Sequence, residues 1–289
     1  MAGPEPLLLA QAFIAACEDE LNAPKPGNVH VFAGGHGMEA HDFVESAHVA
    51  ATPLTTPGID VGSRIFAAVE ATWARVGQNT NLGIILLCAP LAHAALTYPQ
   101  MALQSGVAKV LSRLSRADAE LAFKAIARAN PGGLGEAPQH DVNEPPRVTL
   151  LEAMRASADR DRIAWQYANG FENIFALGME SLAASRLRGY DKNMSVLRLY
   201  LGFLCAFPDS HLLRKFGSET ATLVLTEARS FVGALASMHA PEDIYVAALH
   251  FDQSLKERGL NPGTSADLTV ATLFADYVSG VLANACKNG

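Results

Sequence analysis

Leu82-Gly83-Ile84-Ile85-Leu86-Leu87-Cys88-Ala89-Pro90-Leu91-Ala92 is the most apolar stretch of the chain, and what it becomes decides the fold. It is too short to cross a bilayer, which takes about 20 residues of helix, and it contains Pro90. The reading that remains is a buried helix over 81–97, around which the rest of the chain must pack.

Working outward, apolar residues recur at three- and four-residue spacing over 6–21, 39–51 and 61–76, as amphipathic helices require. Ile65, Val69, Thr72 and Val76 make one such stripe. Further helices are predicted over 102–113, 117–129, 147–158, 161–186, 193–206, 218–237, 240–257 and 265–284. Alternating β-branched runs bounded by hairpin dipeptides are hard to find. The expectation is an all-α fold, with helices bundled or crossed around 84–96. Both halves are helical and neither changes composition, so 1–289 reads as a single compact multi-helix domain. Three segments interrupt the helical pattern, at 24–37, 130–146 and 261–263. The middle one mixes glycines with Glu136, His140 and Asp141, which suits either a linker or a long functional loop.

Composition narrows the function. Of the 289 residues 49% are apolar and 18% charged, against about 25% charged in ordinary domains, so the interior is large. A formal charge of −7 argues against a nucleic-acid partner, which calls for a basic face. A polyphosphate ligand remains compatible, provided a divalent cation held by carboxylates bridges it to the protein. Cys17, Cys88, Cys205 and Cys286 lie far apart with no C-x-x-C pair, as suits reduced thiols in the cytoplasm. The apolar run 7–16 has no basic residue before it and Glu18-Asp19-Glu20 directly after it, so it reads as a helix rather than a signal peptide. A soluble protein without a membrane partner is expected.

Five short segments carry possible chemistry. Pro24-Lys25-Pro26-Gly27 offers a stiff backbone, a point charge at Lys25 and close approach at Gly27; an ordinary helix-ending loop has the same look. His41, Asp42 and Glu45 share one helical face, fit to hold Mg²⁺ or supply a base, or simply to complement the helix dipole. Asn79-Thr80-Asn81 leads into the apolar helix, whose free N–H groups favour a phosphate. Asp209, His211, Arg214 and Lys215 gather an acid, an imidazole and two cations, the pattern of a ligand site or of solvated surface. In 261–268, a Pro-Gly turn is followed by Thr264 or Ser265 as a cap and by Asp267. Walker, Rossmann, nucleophile-elbow and zincin motifs are all absent from the sequence.

Taken in order, these five segments resemble the triphosphoribosyl-dephospho-CoA synthase family. Its members show Pro-Lys-Pro-Gly, an acidic helix, Asn-Thr-x-x-Gly, an Asp-Ser/Thr element with Arg and Gly, and a C-terminal Pro-Gly-x-Ser-Ala-Asp-Leu. The counterparts here run from Pro24 to Leu268, nearly the whole chain. The resemblance implies an all-α enzyme that joins ATP to 3′-dephospho-CoA and releases adenine, in prosthetic-group biosynthesis. It implies Mg²⁺ at Asp42, Glu45 and Asp209, with Glu70 a further candidate, and catalysis by Asp42, Asp209 and His41. Phosphate contacts are expected from Lys25, Gly27, Asn79, Thr80, Asn81, Arg214, Lys215 and Ser265. One departure stands out: Asn81-Leu82 replaces the His-Lys pair typical of the citrate-lyase branch. It leaves room for another acceptor, a precursor of a methanopterin- or methanofuran-like one-carbon cofactor, or for a non-catalytic accessory subunit.

Overall fold

A computed structural model of the chain describes residues 3–35, 37–132, 140–238 and 240–287. Glu136, one of the loop residues singled out above, lies outside them. The described residues form thirteen α-helices and no strand, with isolated bridges only at His30–Ala33 and Gly35–Met38. In chain order they are α1 (Pro6–Asn22), α2 (Ala40–Thr55), α3 (Val61–Val76), α4 (Leu82–Thr97), α5 (Leu103–Leu111), α6 (Arg116–Ala129), α7 (Leu150–Arg155), α8 (Arg162–Ala168), α9 (Met179–Leu187), α10 (Lys192–Ala206), α11 (Ser210–Leu235), α12 (Pro241–Glu257) and α13 (Gly263–Lys287).

The apolar stretch is α4, and it is buried nearly all round, as a helix without a polar face must be. It packs on α2, α3, α5, α8 and α13. Pro90 has no N–H to give the carbonyl four residues back. The Tyr167 hydroxyl donates to that carbonyl, Leu86 O, at 2.6 Å, so no buried acceptor is stranded.

Two apolar clusters result. The larger surrounds α4 and draws on α1, α2, α3, α5, α6 and α13. The smaller lies among α10, α11 and α12. Helix α10 serves both, turning Leu199 and Phe203 to the first and Leu197 and Tyr200 to the second. The stretch Gly263–Ala285 of α13 is long and apolar enough to span a membrane, but 61% of it is buried inside the molecule. It is a core helix against α1, α4 and α10.

Two predicted helices differ from those observed. The segment 161–186 is not continuous. Gly170 (φ 63) and Phe171 (φ 62) both take the left-handed conformation after α8, and a π-helical turn at Asn173–Gly178 precedes α9. Phe171 tolerates this because its ring is fully buried, tilted 5.6 Å from that of Tyr167. Gly178 allows α13 to come close: a Cβ there would fall 2.5 Å from Thr272 Oγ1. The helix expected from 218 instead starts at Ser210 and is broken at Gly217 (φ 86, ψ 173).

Candidate active site

Four helix starts meet around one cleft of about 590 Å³. Leu82, Gly83 and Ile84 open α4, Ile163 and Ala164 open α8, His211, Leu213 and Arg214 belong to the first turns of α11, and Gly263, Thr264 and Ala266 to those of α13. Helix N-termini carry unpaired N–H groups and partial positive charge, and an aspartate answers each of three of them. Asp161 Oδ1 accepts from Ile163 N and Ala164 N at the start of α8. Asp209 serves two helices at once. Its Oδ1 accepts from His211 N and Leu212 N on α11, and its Oδ2 accepts from Ser265 N and Ser265 Oγ on α13 at 2.8 Å each.

The cleft wall carries four carboxylates, Glu20, Asp141, Asp161 and Asp267, against two guanidiniums, Arg160 and Arg214. His140 and His211 line it as well, as do Asn28, Asn79, Thr80 and Asn261. Asp267 has no hydrogen-bond partner among the described residues. Burial, then the negative charges of Asp209 and Glu20, push its carboxyl well above the usual range. Its position depends on Gly83. A Cβ on residue 83 would fall 2.5 Å from Asp267 Cγ and closer still to Oδ2, so the carboxylate lies against the first turn of α4. Glu20 is raised by burial too, with Lys25 pulling the other way.

The residues expected to bind ligand divide sharply. Asn79, Thr80 and Arg214 reach the cleft. Lys25 does not. It is fully buried, donating to Glu20 O at 2.8 Å and Val29 O at 2.7 Å, with the Glu20 carboxylate 3.3 Å away. It ties α1 to the loop that follows. Gly27 takes φ 82 so that its N–H can donate to Asp252 Oδ1, with Leu260 and Pro262 packed against it. Asn28 Nδ2 donates to Asn261 Oδ1 beside it. The Pro-Lys-Pro-Gly loop therefore supports the 261–263 turn from behind. Asn81 donates to Ser46 O at 3.4 Å, Ser265 is committed to Asp209, and the exposed Lys215 lies over the Phe216 ring.

The expected Mg²⁺ set is not assembled. Asp42 closes a capping box with Glu39 and accepts from Gln78 Nε2, Glu45 pairs with Arg75 at 2.5 Å, and Asp209 is buried beneath two helix starts. His41 is exposed and outside the cleft. Glu70 pairs with Arg128 on the surface. Among the described residues no three of His, Cys, Asp or Glu surround a common point suited to a metal.

A family model described as ATP:dephospho-CoA triphosphoribosyl transferase, CitG, matches residues 6–285. The chain belongs to the CitG family. Three curated relatives share the name "Probable 2-(5''-triphosphoribosyl)-3'-dephosphocoenzyme-A synthase". The protein of Albidiferax ferrireducens is 31% identical over 44% of this chain and 44% of its own length. That of Azotobacter vinelandii is 26% identical over 84% and 75%, and that of Stutzerimonas stutzeri 22% identical over 94% and 91%. A crystal structure from Archaeoglobus fulgidus, described as that of a triphosphoribosyl-dephospho-coA synthase, superposes with a TM-score of 0.62. It is 23% identical and covers 82% of this chain and 98% of that one, a likeness of fold. The chain is thus a CitG-family transferase, and these names do not favour a one-carbon-cofactor enzyme or an accessory subunit.

The Asn81-Leu82 pair divides in the structure. Leu82 lines the cleft, whereas Asn81 turns away to Ser46. The cleft residues that the sequence does not single out are Glu20, Arg160 and Asp161. They lie within or beside ordinary helical patterns, and no local motif marks them. Glu20 was read only as part of an acidic run.

Proposed function

We propose that the cleft binds ATP and 3′-dephospho-CoA and transfers the triphosphoribosyl group to an acceptor ribose hydroxyl, releasing adenine, in the cytoplasm. The observation that carries this reading is the family match over residues 6–285. The cleft supports it with chemistry. Its volume falls in the range of roughly 300–1,000 Å³ common for small-molecule sites. Breaking the bond between ribose C1′ and adenine builds positive charge on the sugar, and the carboxylates favour that charge. Asp267, held at raised affinity for protons, takes the proton of the acceptor hydroxyl as its oxygen bonds to C1′. His140 and His211 line the cleft and supply the proton that leaves with adenine. Arg214, Asn79 and Thr80 hold phosphate oxygens; Arg214 exchanges its present partner Asp161, 3.3 Å away, for the ligand.

The donor set fits Mg²⁺ as a ligand-borne ion. That ion needs only one or two carboxylates beside phosphate oxygens and water, and Glu20 is a cleft carboxylate that neither caps a helix nor serves as the base. Bound there, Mg²⁺ would offset part of the triphosphate's negative charge. Free Cys17, Cys88 and Cys205 thiols suit a reducing compartment.

The test is incubation with ATP, Mg²⁺ and dephospho-CoA, following adenine by chromatography and the adduct by mass. One adenine per adduct is expected. Asp267→Asn should lower the rate about 10²-fold or more while leaving the fold intact. Folded wild-type protein that releases no adenine would refute the proposal.

A further inference from the structure

The walls of the cleft differ in character, and the difference follows the helices that build them. The polar side comes from the end of α1, the 28 and 261 positions, and the first turns of α11 and α13. Another part of the wall comes from the interior of α4 and from α6, α7 and α8. There Leu86, Phe123, Ile126, Met154 and Ile163 face the cavity. Leu86, Phe123 and Met154 keep only 5–8% of their surface open, so with Ile126 and Ile163 they make a tightly packed apolar stretch of the cleft wall, the apolar arm of the cleft. Polar lining on these segments lies outside the helices, with His140 and Asp141 ahead of α7 and Ser157, Arg160 and Asp161 between α7 and α8.

Building on the reading of the cleft as an ATP and dephospho-CoA site, we propose that this arm receives the uncharged, thiol-ended pantetheine chain of dephospho-CoA. The argument is by exclusion and complementarity. A triphosphate or diphosphate cannot enter an apolar arm without losing its hydration to no partner. The leaving adenine must stay within reach of a proton donor, and the five side chains of the arm offer none. Of the parts of the two substrates, the chain alone is long, flexible and free of ionic charge. Its methyl, methylene and sulfur groups gain by leaving water against Leu, Phe, Ile and Met side chains. The arm thus sets acceptor choice: it distinguishes dephospho-CoA from ADP, the same molecule shorn of that chain.

The experiment is isothermal titration of the whole protein with dephospho-CoA and, separately, with ADP. Ile126→Gln and Met154→Gln follow, each a near-equal volume with a polar end; circular dichroism and thermal melting check both for folding. Wild type should bind dephospho-CoA about tenfold or more tighter than ADP, the worth of a few buried carbons. At least one folded variant should bring the two affinities together without weakening ADP. Equal wild-type affinities overturn the inference, as does a preference that survives in the folded variants. So does a variant that weakens ADP and dephospho-CoA alike, since the arm then holds the nucleotide. Arm-dependent preference without adenine release would leave the inference standing and bring down the proposed reaction; binding of neither ligand brings down both.

Discussion

Residue 83 is a glycine for reasons of space alone. Glycine inside a helix loses about 0.5–1 kcal/mol relative to alanine, and the Asp267 carboxylate occupies the volume a methyl group would need. Gly83→Ala should therefore destabilise the protein and lower turnover by displacing Asp267. In an Asp267→Ala background the same change should stabilise it. Urea unfolding of the four proteins of the cycle reads this directly; a Gly83→Ala effect of the same sign in both backgrounds contradicts the contact. A second residue gives a pH effect. Burial first, then Arg64, holds His93 below the ordinary imidazole value, and Arg64 Nε donates to its Nδ1 at 3.4 Å. The unfolded chain takes up a proton near pH 6.5 while the native chain does not, so stability falls as pH drops below about 6.5. His93→Gln should flatten the decline in melting temperature between about pH 6.5 and 5. At this scale the sequence is an uneven guide. Asn79, Thr80 and Arg214 line the cleft, but nothing in Pro24-Lys25-Pro26-Gly27 says that the ammonium turns inward to Glu20 instead of outward to a phosphate.

Helices were legible because burial leaves a period, and their interruptions were not. α1, α3 and α4 fall within a residue or two of the positions expected from apolar spacing. The break after α8 depends on two left-handed residues, and one of them, Phe171, belongs to a type that spacing counts as helical core. Capping was visible in kind but not in reach. Ser265 reads as a local cap, whereas Asp209, ahead of the helix expected from 218, reads only as an acid, yet the aspartate joins helices 56 residues apart in the chain. Helix α4 carries the clearest prediction at this scale. Tyr167→Phe removes the donor to Leu86 O and leaves a buried carbonyl unpaired, at a cost of about 1–3 kcal/mol. Adding Pro90→Ala restores a backbone N–H four residues on and should recover part of the loss. Chemical denaturation of the single and double variants measures both; equal stability of Tyr167→Phe and wild type would show that the bond contributes nothing.

For the molecule as a whole, we propose that 1–289 unfolds as one domain. α10 feeds both apolar clusters, and α13 places Ala266 in the smaller and Leu268 onward in the larger, so neither core can empty alone. Calorimetry should show a single transition whose van't Hoff and calorimetric enthalpies agree; two resolved transitions would divide the chain. The all-α class was readable from composition and period. The cleft was not, because its walls are drawn from residues 20 to 267 and exist only once distant helix starts have met. The placement of α13 against α1, α4 and α10 has a consequence in time. A ribosome adding about 5–20 residues each second leaves on the order of 10–40 s between the emergence of α4 and that of α13. For that interval the greasiest helix of the nascent chain waits without the helix that will cover it. The face of α4 that meets α13 is therefore open during synthesis and closed only once the last helix has emerged.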